Sequence, residues 1–386
     1  MNTEAGKPGM AGPPPPGYPP PGYPPPGHAP PPGYPPPGYG PPPGYGPPPG
    51  YPPPGYGYGA PPALKPGVIP LRPLTLSDIF NGAVAYIRAN PKATLGFTTI
   101  VVIVTQLLAL VLSVGPLAAT GALTESFAGE EVSTGALIGS SLSSIIGGVA
   151  TYFTAILLSG MLTVVVGRSV FGAGITIGEA WQRLKGRIWA LIGLAVLEGL
   201  GLVVVIVVVV GLIFAIGAAV NGTAAVIVGL PLGLALVVGL IYVWVSLAFA
   251  PPLIVLERLG IFAAIARSFR LVKNDFWRVF GILLLATIAV QFVAGAVTMP
   301  FSLSGQLMLM AASSTAMTLL ALVLLSVGGV IAQIITAPFS AGVAVLLYTD
   351  RRIRSEAFDL VLQTGAAYGP ASPSDSTDHL WLTRQA

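Results

Sequence analysis

Glu198 is the acid set deepest in an apolar stretch of this chain. It stands eleven residues beyond Arg187. On a helix rising 1.5 Å per residue that is about 16 Å, near the middle of a ~30 Å hydrocarbon core. An ionised carboxylate there costs about 2.5–3.5 kcal/mol. Two chemistries are open to it: a site for a proton, a cation or a polar substrate, or a protonated or hydrogen-bonded contact to a neighbouring helix. Gln106 and Gln291 each follow a glycine, Gly96 and Gly281, by ten residues. That spacing predicts that they face one another across a helix bundle as interhelical glue. Gln333 is a further polar candidate in an apolar run. Other chemistries find no residues. The chain has no Cys, and its two His, His28 and His379, lie in polar tails, so thiol nucleophiles and Cys/His metal cages are excluded. No catalytic residue, metal or cofactor is expected.

Two further sets of residues suit binding. Lys and Arg gather in four clusters: Lys65 to Lys92, Arg168 to Arg187, Arg258 to Arg278, and Arg351 to Arg354. Within them Arg88, Lys185, Arg187, Arg267, Arg270, Lys273, Arg278, Arg351 and Arg352 are candidates for contact with anionic lipid headgroups, at about 1 kcal/mol per residue. The second set is aromatic. P-P-G-Y recurs and ends on Tyr18, Tyr23, Tyr34, Tyr39, Tyr45, Tyr51 and Tyr56, with one P-P-G-H variant at His28. P-P-x-Y is a ligand pattern for WW domains, and repeated copies gain avidity through effective concentration. The segment also reads as a solvated spacer or a weakly self-associating tail. A net charge of +4, confined to membrane edges, does not suggest nucleic acid as a partner.

The elements that must hold these groups follow from composition. Charged residues are 8% of the chain, against roughly a quarter in soluble domains, so it cannot cover a water-facing surface. Residues 1–66 carry most of the Pro and almost no large aliphatic side chains, and are expected to be a disordered tail. Apolar runs near 93–115, 146–167, 188–216, 224–250, 278–298 and 316–348 are each long enough to span. Pro231, Pro251, Pro252 and Pro338 are expected to bend or break these helices. The loops opposite the basic clusters hold no Lys or Arg; their charges are Glu125, Glu130 and Glu131. The positive-inside bias then places both termini in the cytoplasm.

The basic segments repeat. Aligned without gaps on Gly96, Gly193 and Gly281, they match Phe80 with Ile177 and Ile265, Val84 with Trp181 and Phe269, Ile87 with Leu184 and Val272, and Arg88 with Lys185 and Lys273. The apolar set falls on one side of a helix, with the basic residue at its edge. The expected architecture is an all-α membrane domain, residues 67–356. It holds six spans in three units, each an interfacial amphipathic helix and a hairpin. The interfacial helices are expected near 74–90, 175–186 and 260–274, and residues 357–386 as a cytoplasmic tail. Gly147-Gly148, Gly199-x-Gly201 and Gly328-Gly329 are expected to allow close helix approach.

Three stretches carry a family likeness: Leu74–Phe80, Leu256–Val279 with its Glu257-Arg258-Leu259-Gly260 and Arg267-Ser268-Phe269-Arg270, and Leu347–Arg354 with Asp350-Arg351-Arg352. They resemble the membrane domain of bacterial glycerophosphodiester phosphodiesterases and related six-span inner-membrane proteins. The Pro/Gly-rich front end is similar to proline- and glycine-rich transmembrane proteins of actinobacteria. The resemblance implies a bacterial cytoplasmic membrane and a lipid-related setting. It does not carry over the hydrolytic activity, which in those enzymes belongs to a separate soluble barrel. The expectation is a non-catalytic scaffold or accessory module in envelope or lipid metabolism. Its partners would be membrane lipids and, through the tail, cytoplasmic proteins or other copies. The alternative is a transporter or channel-like protein with a path past Glu198.

Overall fold

Alternation between short amphipathic segments and long apolar ones governs the chain order. The structure, a computed structural model, describes residues 67–119, 134–367 and 378–382. The P-P-G-Y tail with its tyrosines, and the loop holding Glu125, Glu130 and Glu131, lie outside the described residues. Among the described residues all regular structure is helical. Helix α1 is Leu76–Ala89; a π turn, Lys92–Gly96, leads into α2, Phe97–Ala119, and α3 is Thr134–Val170. Helix α4 is Ile177–Lys185, α5 Ile188–Ala219, α6 Gly222–Leu247 and α7 Ala250–Val255. Helix α8 is Ile261–Lys273, α9 Phe276–Met310, α10 Thr315–Glu356 and α11 Phe358–Ala367. Among the described residues six segments are long and apolar enough to cross a membrane, which makes this a multi-pass membrane protein. The three amphipathic helices fall where the repeat predicts them, each ahead of a hairpin.

Local chemistry sets the boundaries. Thr75 with Asp78 and Thr176 with Glu179 form reciprocal capping boxes that start α1 and α4. Pro251 and Pro252 begin α7 just after a break at Ala248–Phe249, since proline suits a first turn and not an interior. Pro231 and Pro338, in contrast, lie inside continuous helices, and α9 runs on through Pro300. Helix α10 has 42 residues, about 63 Å at 1.5 Å per residue, twice the ~30 Å hydrocarbon core. Its C-terminal part, from Ala341 to Ile353, is largely buried at the end where the amphipathic helices lie, here termed the basic end.

The three units close into a ring. Each amphipathic helix packs on the return span of the preceding unit: α4 on α3, α8 on α6 and α7, and α1 on α10, which joins the first unit to the last. The first spans follow the same rule, α2 meeting α10, α5 meeting α3 and α9 meeting α6. In the α1–α10 contact Gly342 leaves no room for a side chain: a Cβ there would stand 2.5 Å from the Tyr86 ring. There the Tyr86 hydroxyl donates to the Pro338 carbonyl. Burial pushes the Tyr86 phenol well above its ordinary pKa.

The packing face of the amphipathic helices keeps part of the set the repeat predicts, with Leu184 and Val272 buried and Ile87 half-buried, but its middle position turns away. Val84 and Trp181 are exposed, and Phe269 is half-buried. The buried position lies one residue earlier, at Ala83, Ala180 and Ser268, each 0% exposed. In a membrane, lipid and protein are equally apolar, so small residues mark the protein-facing side and large ones face lipid. The glycine expectations also divide. Gly328 lets Phe301 of α9 approach to 2.8 Å of a would-be Cβ, whereas Gly199 and Gly201 face open space.

Candidate functional site

The basic end is built around two carboxylates that water does not reach. Glu257, in the turn after α7, and Asp350, near the end of α10, both have side chains 0% exposed. Arg267 of α8 lies 2.6 Å from Glu257 and 2.7 Å from Glu356. The Tyr348 hydroxyl donates to Glu257 at 2.6 Å. Asp350 accepts from the Leu74 backbone N–H at 2.7 Å, from Arg278 at 3.0 Å and from Arg354 at 2.9 Å. Arg351 pairs with Asp275. Arg352 pairs with Glu356 at 3.0 Å, donates to the Trp381 carbonyl and lies 4.0 Å over the Phe358 ring. Helical spacing explains two of these contacts, Asp350–Arg354 and Arg352–Glu356 at i,i+4. Arg267–Glu257 spans ten residues between the second and third units, Arg278–Asp350, Arg351–Asp275 and Arg267–Glu356 join elements within the third unit, and Leu74–Asp350 and Tyr348–Glu257 cross between units. Burial would lower the Arg267 pKa, but hydrogen bonds and charge from Glu257 outweigh it, and the guanidinium sits above its ordinary value.

This geometry corrects several sequence expectations. Arg267, Arg278, Arg351 and Arg352 each make an internal ion pair, and of these Arg278 remains the most exposed, at 31% of its side chain. Of the headgroup set, Arg88, Lys185, Arg270 and Lys273 are exposed, and Arg187 is half-buried. The segment after residue 357 is not simply a tail. It forms α11, and Trp381 is 3% exposed, packed between Phe171, Tyr348 and Phe358. The signal for the acids was present in the i,i+4 pairing of Asp350 with Arg354 and of Arg352 with Glu356. No local pattern foretells the role of Trp381.

Beside this clasp lies a cavity of about 560 Å³. It is bounded by the end of α3, the α4–α5 turn and the turn after α7. Arg168, Arg183, Lys185, Arg187 and Arg258 line it over a floor of Val164, Val255 and Leu256, with Trp381 at one side. No described Asp or Glu is among the lining residues. Arg258 has φ 58°, a left-handed conformation uncommon outside glycine, in the turn that leads toward α8. Burial and the nearby Arg258 charge hold the Arg187 pKa below its ordinary value. Glu179 is held low by hydrogen bonds from Thr176, with Arg183 and Arg168 adding to the effect.

Within the spans the polar residues pair along seams between units. The Tyr152 hydroxyl of α3 donates to Glu198 of α5 at 3.0 Å. Gln106 of α2 donates to Gln333 of α10 at 3.3 Å. The expected Gln106–Gln291 pair does not form. Gln291 is exposed on α9, because the ring sets α2 against the third unit's return span and not against its first span.

Fold and site together define a polytopic helical membrane protein whose third unit is tied at one end to the second by buried ion pairs and to the first through the Leu74 backbone. The chain belongs to the family described as Domain of unknown function (DUF7847), whose model matches residues 74–351. The match begins at Leu74, whose N–H is held by Asp350, and ends at Arg351, so it is bounded by the clasp. No curated protein and no solved structure matches the chain.

Proposed function

We propose that this protein is a non-catalytic scaffold or accessory module of a bacterial cytoplasmic membrane, with both termini in the cytoplasm and the tyrosine-bearing tail recruiting partners. The observation that carries the reading is the segregation of charge. Apart from Glu198, the ionised groups of the described body sit at the basic end. There they tie helices together or face the headgroup layer. That arrangement supplies a rigid platform at a membrane surface. The lipid-related setting implied by the sequence resemblance agrees with it. For the alternative, transport past Glu198, the geometry offers a hydrogen bond to Tyr152 between two packed spans. Neither residue lines the cavity of the basic end.

The test is proximity labelling in the native membrane, comparing the full chain with one lacking residues 1–62. The expected result is loss of a defined set of cytoplasmic neighbours, with membrane insertion and thermal stability unchanged. An identical set of neighbours for both forms would sink recruitment by the tail.

A further inference from the structure

The three first spans share a repeat position and treat it differently. Gln106 of α2, Val203 of α5 and Gln291 of α9 each lie ten residues beyond the aligned glycine. Gln106 is satisfied by Gln333 of α10. Val203 is exposed, and an apolar side chain suits a face turned to lipid. Gln291 is exposed as Val203 is, yet it ends in an amide. It stands thirteen residues beyond Arg278, about 20 Å along the helix from the basic end and inside the ~30 Å hydrocarbon core. That amide makes no hydrogen bond among the described residues.

The neighbouring helices do not supply a partner. Across the seam, α6 carries no side chain with a hydrogen-bonding group between Thr223 and Tyr242. On α10, Gln333 meets Gln106, and Ser326, Thr336 and Ser340 donate to carbonyls of their own helix. Lipid tails offer nothing either, and a polar group left unpaired in hydrocarbon is costly. An amide is both donor and acceptor, so a second amide at the same depth completes it.

The surroundings of Gln291 fit another helix at close range. Leu284, Ile288, Gln291 and Gly295 are all exposed and recur at steps of four, three and four residues, the spacing of a two-helix seam. A Cβ at Gly295 would meet nothing within 4 Å, so the backbone is open to approach there. Copies of one chain insert in one direction, because each carries the same charge bias. Two copies related by a twofold axis along the membrane normal therefore set α9 against α9 in parallel, with Gln291 facing Gln291. A polar residue within an apolar seam fixes register in this way.

We infer that α9 is the contact face of a homodimer, joined within the bilayer by reciprocal hydrogen bonds between the two Gln291 amides, each Nε2 donating to the Oε1 of the other copy. The contact goes beyond the scaffold reading and does not involve the amino-terminal tail, so either can fail without the other.

The test uses the full chain. It has no Cys, so Ile288→Cys, about one turn before Gln291, reports close pairing by oxidative cross-linking in native membranes. Leu200→Cys is the control, at the same repeat position on α5 and 59% exposed against 56% for Ile288. The first is expected to cross-link into a dimer and the second to remain monomeric. Gln291→Leu should weaken dimerisation about tenfold, read from energy transfer between donor- and acceptor-labelled chains in phosphatidylcholine vesicles at rising lipid dilution. Gln291→Asn should retain most of it. Gln291→Leu removes no hydrogen bond among the described residues, so an unchanged melting temperature separates lost pairing from lost fold. Equal cross-linking at the two positions would mean random collision and would overturn the contact. Dimerisation undiminished by Gln291→Leu would overturn the role of the amide. A monomer in both assays, or a cross-link from Ile288→Cys to a different protein, would overturn the homodimer.

Discussion

The basic end and the outer part of the α5–α6 hairpin come from the same chain and obey different rules. At the basic end Tyr86, Phe249, Tyr348, Glu257 and Asp350 are buried, and polar contacts choose the partners. In the hairpin, burial is confined to Leu191, Leu194 and Ala195 of α5 and to Val245 and Ser246 of α6, at the inner end. Farther out, Phe214 is 77% and Leu230 71% exposed. In water such a surface would collapse or aggregate. In lipid it is already solvated, and nothing drives it against a neighbour. Apolar surface therefore places these helices in the bilayer, and charge at the basic end decides which helix meets which.

The strongest way to break that contrast is to remove one charge from the clasp. Glu257→Gln leaves Arg267 without its nearest carboxylate and takes the anionic partner from the Tyr348 hydroxyl. Loss of one member of a buried pair costs about 3–5 kcal/mol. The expected outcome is a large fall in the unfolding midpoint in mild detergent, followed by intrinsic fluorescence. Little change would mean that packing alone joins the units.

A glycine pair sharpens the comparison at lower cost. Gly342→Val drives a side chain into Tyr86 and Ala83, where even a Cβ is too close, and should cost about 1–3 kcal/mol. Gly199→Val, in open space on α5, should stay within about 0.5 kcal/mol. Equal effects at both sites, read from the same melts, would mean that the outer hairpin is packed against something.

Much of this was legible in the sequence, because hydropathy, Lys/Arg placement and the repeat all reflect the bilayer directly. All six spans and the three amphipathic helices lie where those signals put them. What the sequence hid was partnership. Gln106 was matched to Gln291 by repeat position, yet ring closure pairs it with Gln333. Val84 and Trp181 extend the apolar stripe, yet they are exposed while Ala83 and Ala180 beside them are buried, along with Leu184 of the stripe itself. Arg351 and Arg352 sit in the positive-inside pattern like any surface cation, yet their acids, Asp275 and Glu356, are on another helix or one turn away. Periodicity reports which face is apolar; it does not report whether lipid or protein covers that face.

Glu198 lies between the two regimes, and the effect expected there is the smallest. It is the one described carboxylate within the spans. Its contact with Tyr152 crosses the seam between the first and second units, just beyond the last buried residues of α5. If it acts as glue, Glu198→Gln keeps a hydrogen-bonding group and should leave stability nearly unchanged. A double-mutant cycle with Tyr152→Phe should then return a coupling of about 0.6 kcal/mol, the usual size for interhelical hydrogen bonds in membranes. A coupling well above about 2 kcal/mol exceeds what such bonds supply. It would mean that the carboxylate is held charged in a dry seam, as the basic end holds its own. In that case the charge-clasped region extends into the bilayer, and a functional site at Glu198 becomes the better reading.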